Sequence, residues 1–437
     1  MNKSLYIVAF SLAFATTGIA QNNEGQDKTV DLGTQTTTEL RKTQAVSTIY
    51  SDELDKNATT SPYNAIYGLL PGLTVMQNTS WGTDKSRLNV RGRGSLNGDT
   101  PLFVVDGFAR PIEYINLSEI ESISVLKDGA ATALWGGRGA NGVVLITTKR
   151  GMYSKKEIKV DYKFGLGLPV NQPEFADAYT YAKARNEALR YDGLQPDMDE
   201  ASFLAGGNSD LYPNVDWQKE ALRNHTTSHQ LDITFRGGGK RLRYFSVLNY
   251  KNDMGLLNSK YTDYTDRYNS QMKKYFLNLR MNLDVDITDA TKLKLNMLGM
   301  LRETKRPTTS EATLFEQIFN TPSAAFPVQT QNGLWGSNNV LKTNPIANLA
   351  DVGYYKLNQR MLQADLRLIQ DLSVLTRGLS AELAIAYDNN ATYQETAKKS
   401  FMYQTIEKGT DGEPVYTNYG NPNDELEISN KGLANQY

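Results

Sequence analysis

The 437-residue sequence contains no cysteine, only two histidines and no uninterrupted apolar run of 18 residues. The missing cysteine excludes a disulfide scaffold, a thiolate zinc site, an iron–sulfur cluster and a cysteine nucleophile. Two histidines leave little for a metal site or an imidazole base. Without a long apolar run there is no candidate membrane helix, which needs about 20 such residues. An excess of one charge is missing too. Lys+Arg total 47 against 48 Asp+Glu, a formal net charge of −1, so the basic surplus that neutralises nucleic-acid phosphates is absent. What is abundant is tyrosine and glycine, 25 and 34 residues, in a chain that is 40% hydrophobic with a mean hydropathy of −0.49. Many aromatics with little net charge suit strands that alternate apolar and polar residues. The length allows two to three domains of about 150 residues.

Residues 1–20 place one cation, Lys3, before an apolar run from Leu5 to Ala15 and end in Gly18-Ile19-Ala20. That order of charge, apolar core and small residues is a secretory signal peptide. The run of about 11 residues is too short for a membrane anchor. An exported chain without an apolar helix can enter a membrane only with strands. Residues 21–48 are polar, rich in Thr, Gln, Asn and Asp, and are expected to form a flexible segment. Residues 49–151 read as a compact α+β domain. Helical spacing covers Tyr63 to Leu70 and stops at Pro71-Gly72, and strands are expected at 73–76, 87–92, 102–105, 120–126 and 143–148. Asp128 can cap a short helix over Gly129–Leu134.

Residues 152–437 alternate with period two. Tyr275, Leu277, Leu279, Met281, Leu283, Val285 and Ile287 are separated by polar residues such as Asn278, Arg280, Asn282, Asp284 and Asp286. Similar alternation at 158–166, 229–235, 293–297, 362–368 and 379–387, with strands at 241–251 and 391–403, gives about eight strands. Loops at 168–225 and 303–358 interrupt them, and 418–437 are expected to form no closing strand. Soluble strands usually run five to six residues, whereas transmembrane strands need about 9–11. The length and the aromatic residues at strand ends therefore favour an antiparallel transmembrane β-barrel.

Three motifs have plain readings. Gly237-Gly238-Gly239-Lys240-Arg241 lacks the spacing and the Ser/Thr of a phosphate loop, and strands flank it, so it is a hairpin turn. His225 and His229 sit four apart, but strand begins there and no third ligand is evident, so they are surface or loop residues. Carboxylates are plentiful, yet no pair is singled out for glycosidase chemistry.

The stretch Ser95 to Gly151 carries Pro101-Leu102-Phe103-Val104-Val105-Asp106-Gly107, Ile120-Glu121-Ser122-Ile123, Val125-Leu126-Lys127-Asp128, Gly137-Arg138-Gly139-Ala140-Asn141-Gly142-Val143 and Ile146-Thr147-Thr148-Lys149-Arg150-Gly151. It closely resembles the plug domain of TonB-dependent outer-membrane transporters, specifically the SusC/RagA-like branch. Asn214-Val215-Asp216-Trp217-Gln218 and, more weakly, Asn344-Pro345-Ile346-Ala347 resemble later segments of the same branch. Asp106, Gly107, Lys127, Asp128, Gly137, Arg138, Gly139, Asn141 and Gly142 form the plug signature. Gly136, Gly137, Gly139 and Gly142 are expected at tight turns, and Glu119, Glu121, Lys127, Asp128 and Arg138 are expected to face a polar barrel wall.

The resemblance implies active import of a large nutrient, an oligosaccharide or peptide, across the outer membrane, without enzymatic chemistry or a cofactor. It implies TonB, with ExbB and ExbD, and a SusD-like surface lipoprotein as partners. Thr29-Val30-Asp31-Leu32-Gly33 is the candidate TonB-contact segment, and Asn78, Ser80, Trp81 and Trp335 are substrate-facing candidates. The family barrel has 22 strands, and about eight cannot surround a plug of about 100 residues. The chain is therefore expected to be the N-terminal part of a longer transporter. The alternatives are an outer-membrane receptor that signals through its N-terminus, or a secreted β-rich carbohydrate-active protein.

Overall fold

Residues 10–11, 29–32, 36–38, 43–54, 56, 59, 61–77, 86–94, 98–153, 156–421 and 425–436 are described by the structure, a computed structural model. The apolar runs LFVV and VVLITT are too apolar for a surface strand, and they form the middle of the first domain. Its sheet contains β1 (Val46–Tyr50), β4 (Leu102–Val105), β5 (Phe108–Ala109), β6 (Ile120–Leu126) and β7 (Val143–Thr148), while β2 (Leu73–Met76) and β3 (Arg87–Val90) pair separately. The order is β1-β6-β7-β4-β5, with β7 parallel to β4 and antiparallel to β6. Ile49, Ile120, Ile123, Val125, Val144 and Ile146 are buried together with Leu54, Ile66 and Ile112. Each such side chain contributes about 1.5–3 kcal/mol on burial. Asp128 caps a single helical turn, α1 (Gly129–Thr132), accepting the Ala131 N–H at 2.8 Å. The helix expected over 63–70 is likewise one turn, Pro62–Ala65, because Gly68 takes φ +73° and breaks the register.

The second half is one large antiparallel sheet, interrupted by elements that stand beyond its end. In chain order these are β8 (Glu157–Gly167), α2 (Ala178–Tyr191), α3 (Glu200–Ala205), α4 (Trp217–Ala221), β9 (Thr226–Gly238), β10 (Leu242–Met254), β11 (Lys273–Asp286) and β12 (Thr291–Pro307). There follow α5 (Glu311–Asn320), β13 (Trp335–Ser337), α6 (Pro345–Ala350), β14 (Gly353–Asp371), β15 (Ser380–Lys398), β16 (Met402–Lys408), β17 (Pro414–Gly420) and β18 (Glu427–Gln436). The large sheet runs β8-β9-β10-β11-β12-β14-β15-β18, with Phe10–Ser11 paired to its β8 edge. The rest of the expected signal peptide lies outside the described residues. Among the described residues the two edges of the sheet do not pair, so the barrel wall is open.

The count of eight long strands agrees with the sequence reading, but two memberships differ. Residues 379–387 and 391–403 are not two strands, since β15 runs unbroken through Ser380–Lys398. The stretch read as strandless, 418–437, supplies β18, which pairs with β15 from Asn389↔Gln436 to Lys398↔Glu427. Its polar residues hide it from a hydrophobic count, but backbone pairing needs no apolar side chain.

The polarity of this sheet is inside out. On β11, Asn278, Arg280, Asn282 and Asp284 are buried while Leu277 and Leu279 are exposed. On β8, Ile158, Val160, Tyr162, Phe164 and Leu166 are all exposed. The apolar face points away from the plug and the polar face points toward it. In water this would leave a large apolar surface bare, whereas lipid covers it. A soluble sandwich, as in the secreted alternative, would bury its apolar face, and this sheet leaves that face exposed. No helix among the described residues is long and apolar enough to cross a membrane.

Connections at one end of the sheet are short, such as residues 239–241 and 287–290, and the glycine-rich one is the hairpin expected from the sequence. At the other end the stretches read as loops are folded. Trp217, Leu257, Leu314, Ile318, Phe326, Trp335, Ile346 and Leu349 form a separate buried cluster on this rim. A three-stranded sheet, β13-β16-β17, adjoins it. The family-like segments lie at its centre: Asp216 caps α4, Trp217 donates its indole N–H to Pro322 O at 3.0 Å, and Asn344 caps α6. Their mixed polar and apolar composition shows no period, which is why sequence reading leaves them as loops.

Candidate functional site

The first domain sits against the polar face of the sheet, and the contacts between them form the site. The centre is a short turn, Leu117–Glu119, closed by a capping box: Asn116 accepts the Ser118 N–H and Glu119 accepts the Asn116 N–H, both at 3.2 Å. The turn aims the Glu119 carboxylate at β11, where Arg280 Nε donates to it at 2.5 Å and Asn278 Nδ2 donates to its other oxygen. Glu119 is 0% and Arg280 2% exposed in this pair. Burial pushes the Glu119 carboxyl above its ordinary value, and Arg280 beside it opposes that rise.

Neighbouring contacts extend the polar seam. Asn249 Nδ2 donates to Ser118 Oγ at 2.8 Å and to Asp232 at 2.9 Å. Asn282 Nδ2 donates to Thr148 Oγ1 and to Lys149 O, each at 2.8 Å. Arg236 reaches Glu121 at 3.8 Å.

A second anchor lies at the β4–β5 turn. Arg110 donates to Asp365 at 2.5 Å and to Asp388 at 2.7 Å, reaching both β14 and β15. Arg367 Nη2 donates to Asp106 O at 3.1 Å. The Asp106 carboxylate accepts the Thr148 N–H at 3.0 Å and its hydroxyl at 2.6 Å, so the signature aspartate joins both anchors. Gly107 has φ +91°, and a Cβ there would stand 2.6 Å from Arg367 Nη2. A small apolar cluster of Tyr114, Phe276, Met300 and Met361 also crosses the seam. A domain held this way can move by exchanging hydrogen bonds with water, without tearing a large apolar core.

The other signature residues act inside the plug. Lys127 Nζ donates to Ser47 Oγ at 2.6 Å and to Pro71 O at 3.0 Å. The second Asp128 oxygen accepts the Ala45 N–H at 2.8 Å. Those N–H groups hold the Asp128 carboxyl below the usual range, the Ala45 bond being the largest cause. Lys127 and Asp128 therefore clasp the N-terminal edge strand, and they do not face the wall as the sequence reading expects. Arg138 is exposed. Asn141 Nδ2 donates to Gly98 O at 3.2 Å. Gly142, at φ +88°, lies where a Cβ would sit 2.8 Å from Val90, and Gly139 lies 3.1 Å from Thr132 O by the same measure. Gly137 has neither a positive φ nor a close neighbour.

The segment 21–48, expected to be flexible, is partly ordered. Thr29–Asp31 and Thr36–Thr38 pair as a hairpin, and Val30 and Leu32 are buried against Val46, Val104, Leu126 and Val143. Its apolar residues are too sparse to make a pattern, but each fits a place on the plug sheet. Gly33 lies outside the described residues, as do Asn78, Ser80 and Trp81. Trp335 is 4% exposed, its indole N–H donating to Asp351 at 3.0 Å. It is a core residue of the rim cluster and not a substrate-facing one. His229 meets Tyr162 O–H at 2.8 Å, and no group of metal-ligating side chains occurs among the described residues.

Sequence reasoning missed Arg110, Asn278, Arg280, Asn282, Asp365 and Asp388 as functional positions. The alternation identifies their strands' polar face, but only the assembled fold shows what that face touches.

Residues 38–143 match the TonB-dependent Receptor Plug Domain family. The chain is 28% identical over 281 residues to TonB-dependent receptor P26 of Formosa agariphila, covering 62% of this chain and 26% of that protein. It is 30% identical over 255 residues to TonB-dependent receptor SusC of Bacteroides thetaiotaomicron, covering 55% and 24%. The chain thus spans about a quarter of the length of these relatives. Its fold is similar to a chain of the RagAB peptide importer in the open-open state, with TM-score 0.68 and 20% identity over 85% of this chain and 43% of that one.

Proposed function

We propose that this chain, a SusC/RagA-like TonB-dependent receptor in its plug and opening barrel strands, serves TonB-driven import of a large nutrient across the outer membrane. The observation that carries this reading is the way the plug is held. Its wall contacts are polar, and its most N-terminal strand lies at the edge of the plug sheet. A pull on the N-terminal segment would first lift the hairpin of Thr29–Asp31 and Thr36–Thr38, with Val30 and Leu32, off the plug, and would then reach β1. That strand pairs with β6 at the sheet edge and is clasped by Lys127 and Asp128. Thr29–Gly33 is the proposed grip for TonB, energised through ExbB and ExbD. Adding a strand to TonB's sheet demands backbone more than side chains, and would replace the pairing of Thr29–Asp31 with Thr36–Thr38 and draw Val30 and Leu32 out of the plug. Release of β1 would expose β6 and loosen the Glu119 turn that leads into the same strand. An oligosaccharide or a peptide is the proposed cargo, and a SusD-like lipoprotein the proposed capture partner on the rim. The chain's part in this is mechanical and requires no cofactor.

Deleting Thr29–Gly33 in the receptor and measuring growth on its substrate tests the reading. Uptake is expected to fall to the level of a strain without TonB. Unchanged uptake would remove the assignment of the grip.

A further inference from the structure

Strands β11, β12 and β14 carry a row of cations on their outer face, near the rim end. Lys273 on β11 stands directly opposite Lys305 on β12, and Lys305 stands directly opposite Lys356 on β14. Residues paired in this way have Cβ atoms about 4.5–5.5 Å apart, and like charges there repel. The row shares the alternation of the exposed Leu277, Leu301 and Leu362, so it lies on the side turned away from the plug. Arg360, exposed and opposite Leu301, adds a fourth cation to that face. Two carboxylates accompany them. Glu303 reaches Lys356 at 3.1 Å, and Glu395 accepts the Tyr354 hydroxyl at 2.7 Å. Lys305 Nζ lies 5.4 Å from the centre of the Tyr354 ring. The stretch is left with a surplus of positive charge.

The height of the row decides what can answer that surplus. Along this face the residues Leu277, Leu279, Met281, Leu283, Val285 and Ile287 are all apolar. At about 3.4 Å per residue and a tilt of about 40°, they rise roughly 26 Å, against about 25 Å for the lipid-facing band of a barrel. Tyr275 follows at the position of the aromatic girdle, and Lys273 is the next outer-face residue beyond it. The row therefore stands at the level of lipid headgroups, which lysine stems running over apolar surface can reach with their ammonium groups. The rim end carries the long connections, which in such barrels face the outside. The leaflet concerned is the outer one.

We infer that this row binds the anionic phosphate headgroup of an outer-leaflet lipid, whose acyl chains lie on Leu277, Leu301 and Leu362. Charge complementarity selects the headgroup, and continuity with the lipid-facing band selects a lipid over a soluble anion. The test is native mass spectrometry of the purified receptor released from nanodiscs of phosphatidylcholine and phosphatidylglycerol, which counts the lipids each molecule keeps. Phosphatidylglycerol should be retained about tenfold over phosphatidylcholine. Lys273→Gln/Lys305→Gln should abolish that preference without lowering the unfolding temperature, and Arg360→Gln should weaken it independently. Lys219→Gln, at an exposed lysine on α4 of the rim, should leave it unchanged. Millimolar inorganic phosphate should not displace the lipid. Equal retention of the two lipids, a preference untouched by the double variant, an equal loss in Lys219→Gln, or displacement by inorganic phosphate would overturn the inference. Lipid retention is read without transport, so its failure leaves the import reading standing, and normal uptake after deletion of Thr29–Gly33 leaves this surface standing.

Discussion

Replacing Glu119 by Gln removes the counter-charge of Arg280 while nearly preserving shape. Both side chains are buried, 0% and 2% exposed, and joined at 2.5 Å. Breaking such a pair from one side costs about 3–5 kcal/mol, because the surviving charge stays desolvated. At about 1.4 kcal/mol per factor of ten, the plug–wall opening equilibrium should rise roughly 10²- to 10³·⁵-fold. Hydrogen–deuterium exchange of the amides of the 116–119 turn in detergent reads this, since the Glu119 carboxylate that accepts the Asn116 N–H is itself held by Arg280. The double variant Glu119→Gln/Arg280→Met removes both charges of the pair and should return to within about 1 kcal/mol of the parent. Arg280→Met alone should depend on pH. The Glu119 carboxyl is already pushed up by burial and then loses the group opposing that rise. A folded value above the unfolded one costs stability at high pH, and the cost is relieved as pH falls through the folded value. Exchange in Glu119→Gln within threefold of the parent, or a double variant as open as the single, would refute the latch.

Three further outcomes follow from the same geometry. Asp128→Ala should cost about 1 kcal/mol through its helix cap alone and speed exchange at Ala45–Ser47. Because the folded carboxyl is held low, its contribution is present above the ordinary carboxylate value near 3.9 and lost as pH falls below that toward the folded value; an Asp128→Asn chain that keeps the parent's pH profile would exclude this clasp. Gly142→Ala forces a methyl to 2.8 Å from Val90 at φ +88° and should lower plug stability by more than about 1 kcal/mol, with Val90→Ala in the same chain recovering only the contact part in thermal melts. Leu279→Arg should cost about 2–4 kcal/mol in urea titrations of vesicle-inserted protein if that face meets the bilayer midplane, and a neutral result would place the face in water.

The alternation at 275–287 was enough to identify a long strand with one apolar face, and the structure adds which way that face turns. The plug strands were legible because runs such as LFVV and VVLITT are bounded by turns such as Asp106-Gly107. The ends of the wall were less so: β18 is polar, and the rim helices are short pieces whose apolar residues meet only across long loops. The site was legible in part. Asp106 and Gly107 stand where the plug meets the wall, but Glu119 was read only as a polar-facing residue, and its partner Arg280 is 161 positions away, a distance no local pattern spans. Trp335 shows the opposite error, since an aromatic in a polar loop reads as exposed until the surrounding loops are seen to fold around it.

The central claim is that force on the N-terminal segment strips β1 from the plug sheet. Ser124 on β6 is 1% exposed beneath β1, its hydroxyl 2.8 Å from Thr48 Oγ1, and the chain contains no cysteine of its own. Thiol labelling of Ser124→Cys in intact cells, read on the purified protein against the unsubstituted parent, measures that event. The account predicts labelling that requires TonB, an energised inner membrane and residues 29–33, whereas equal labelling with a protonophore present or with that segment deleted would contradict it.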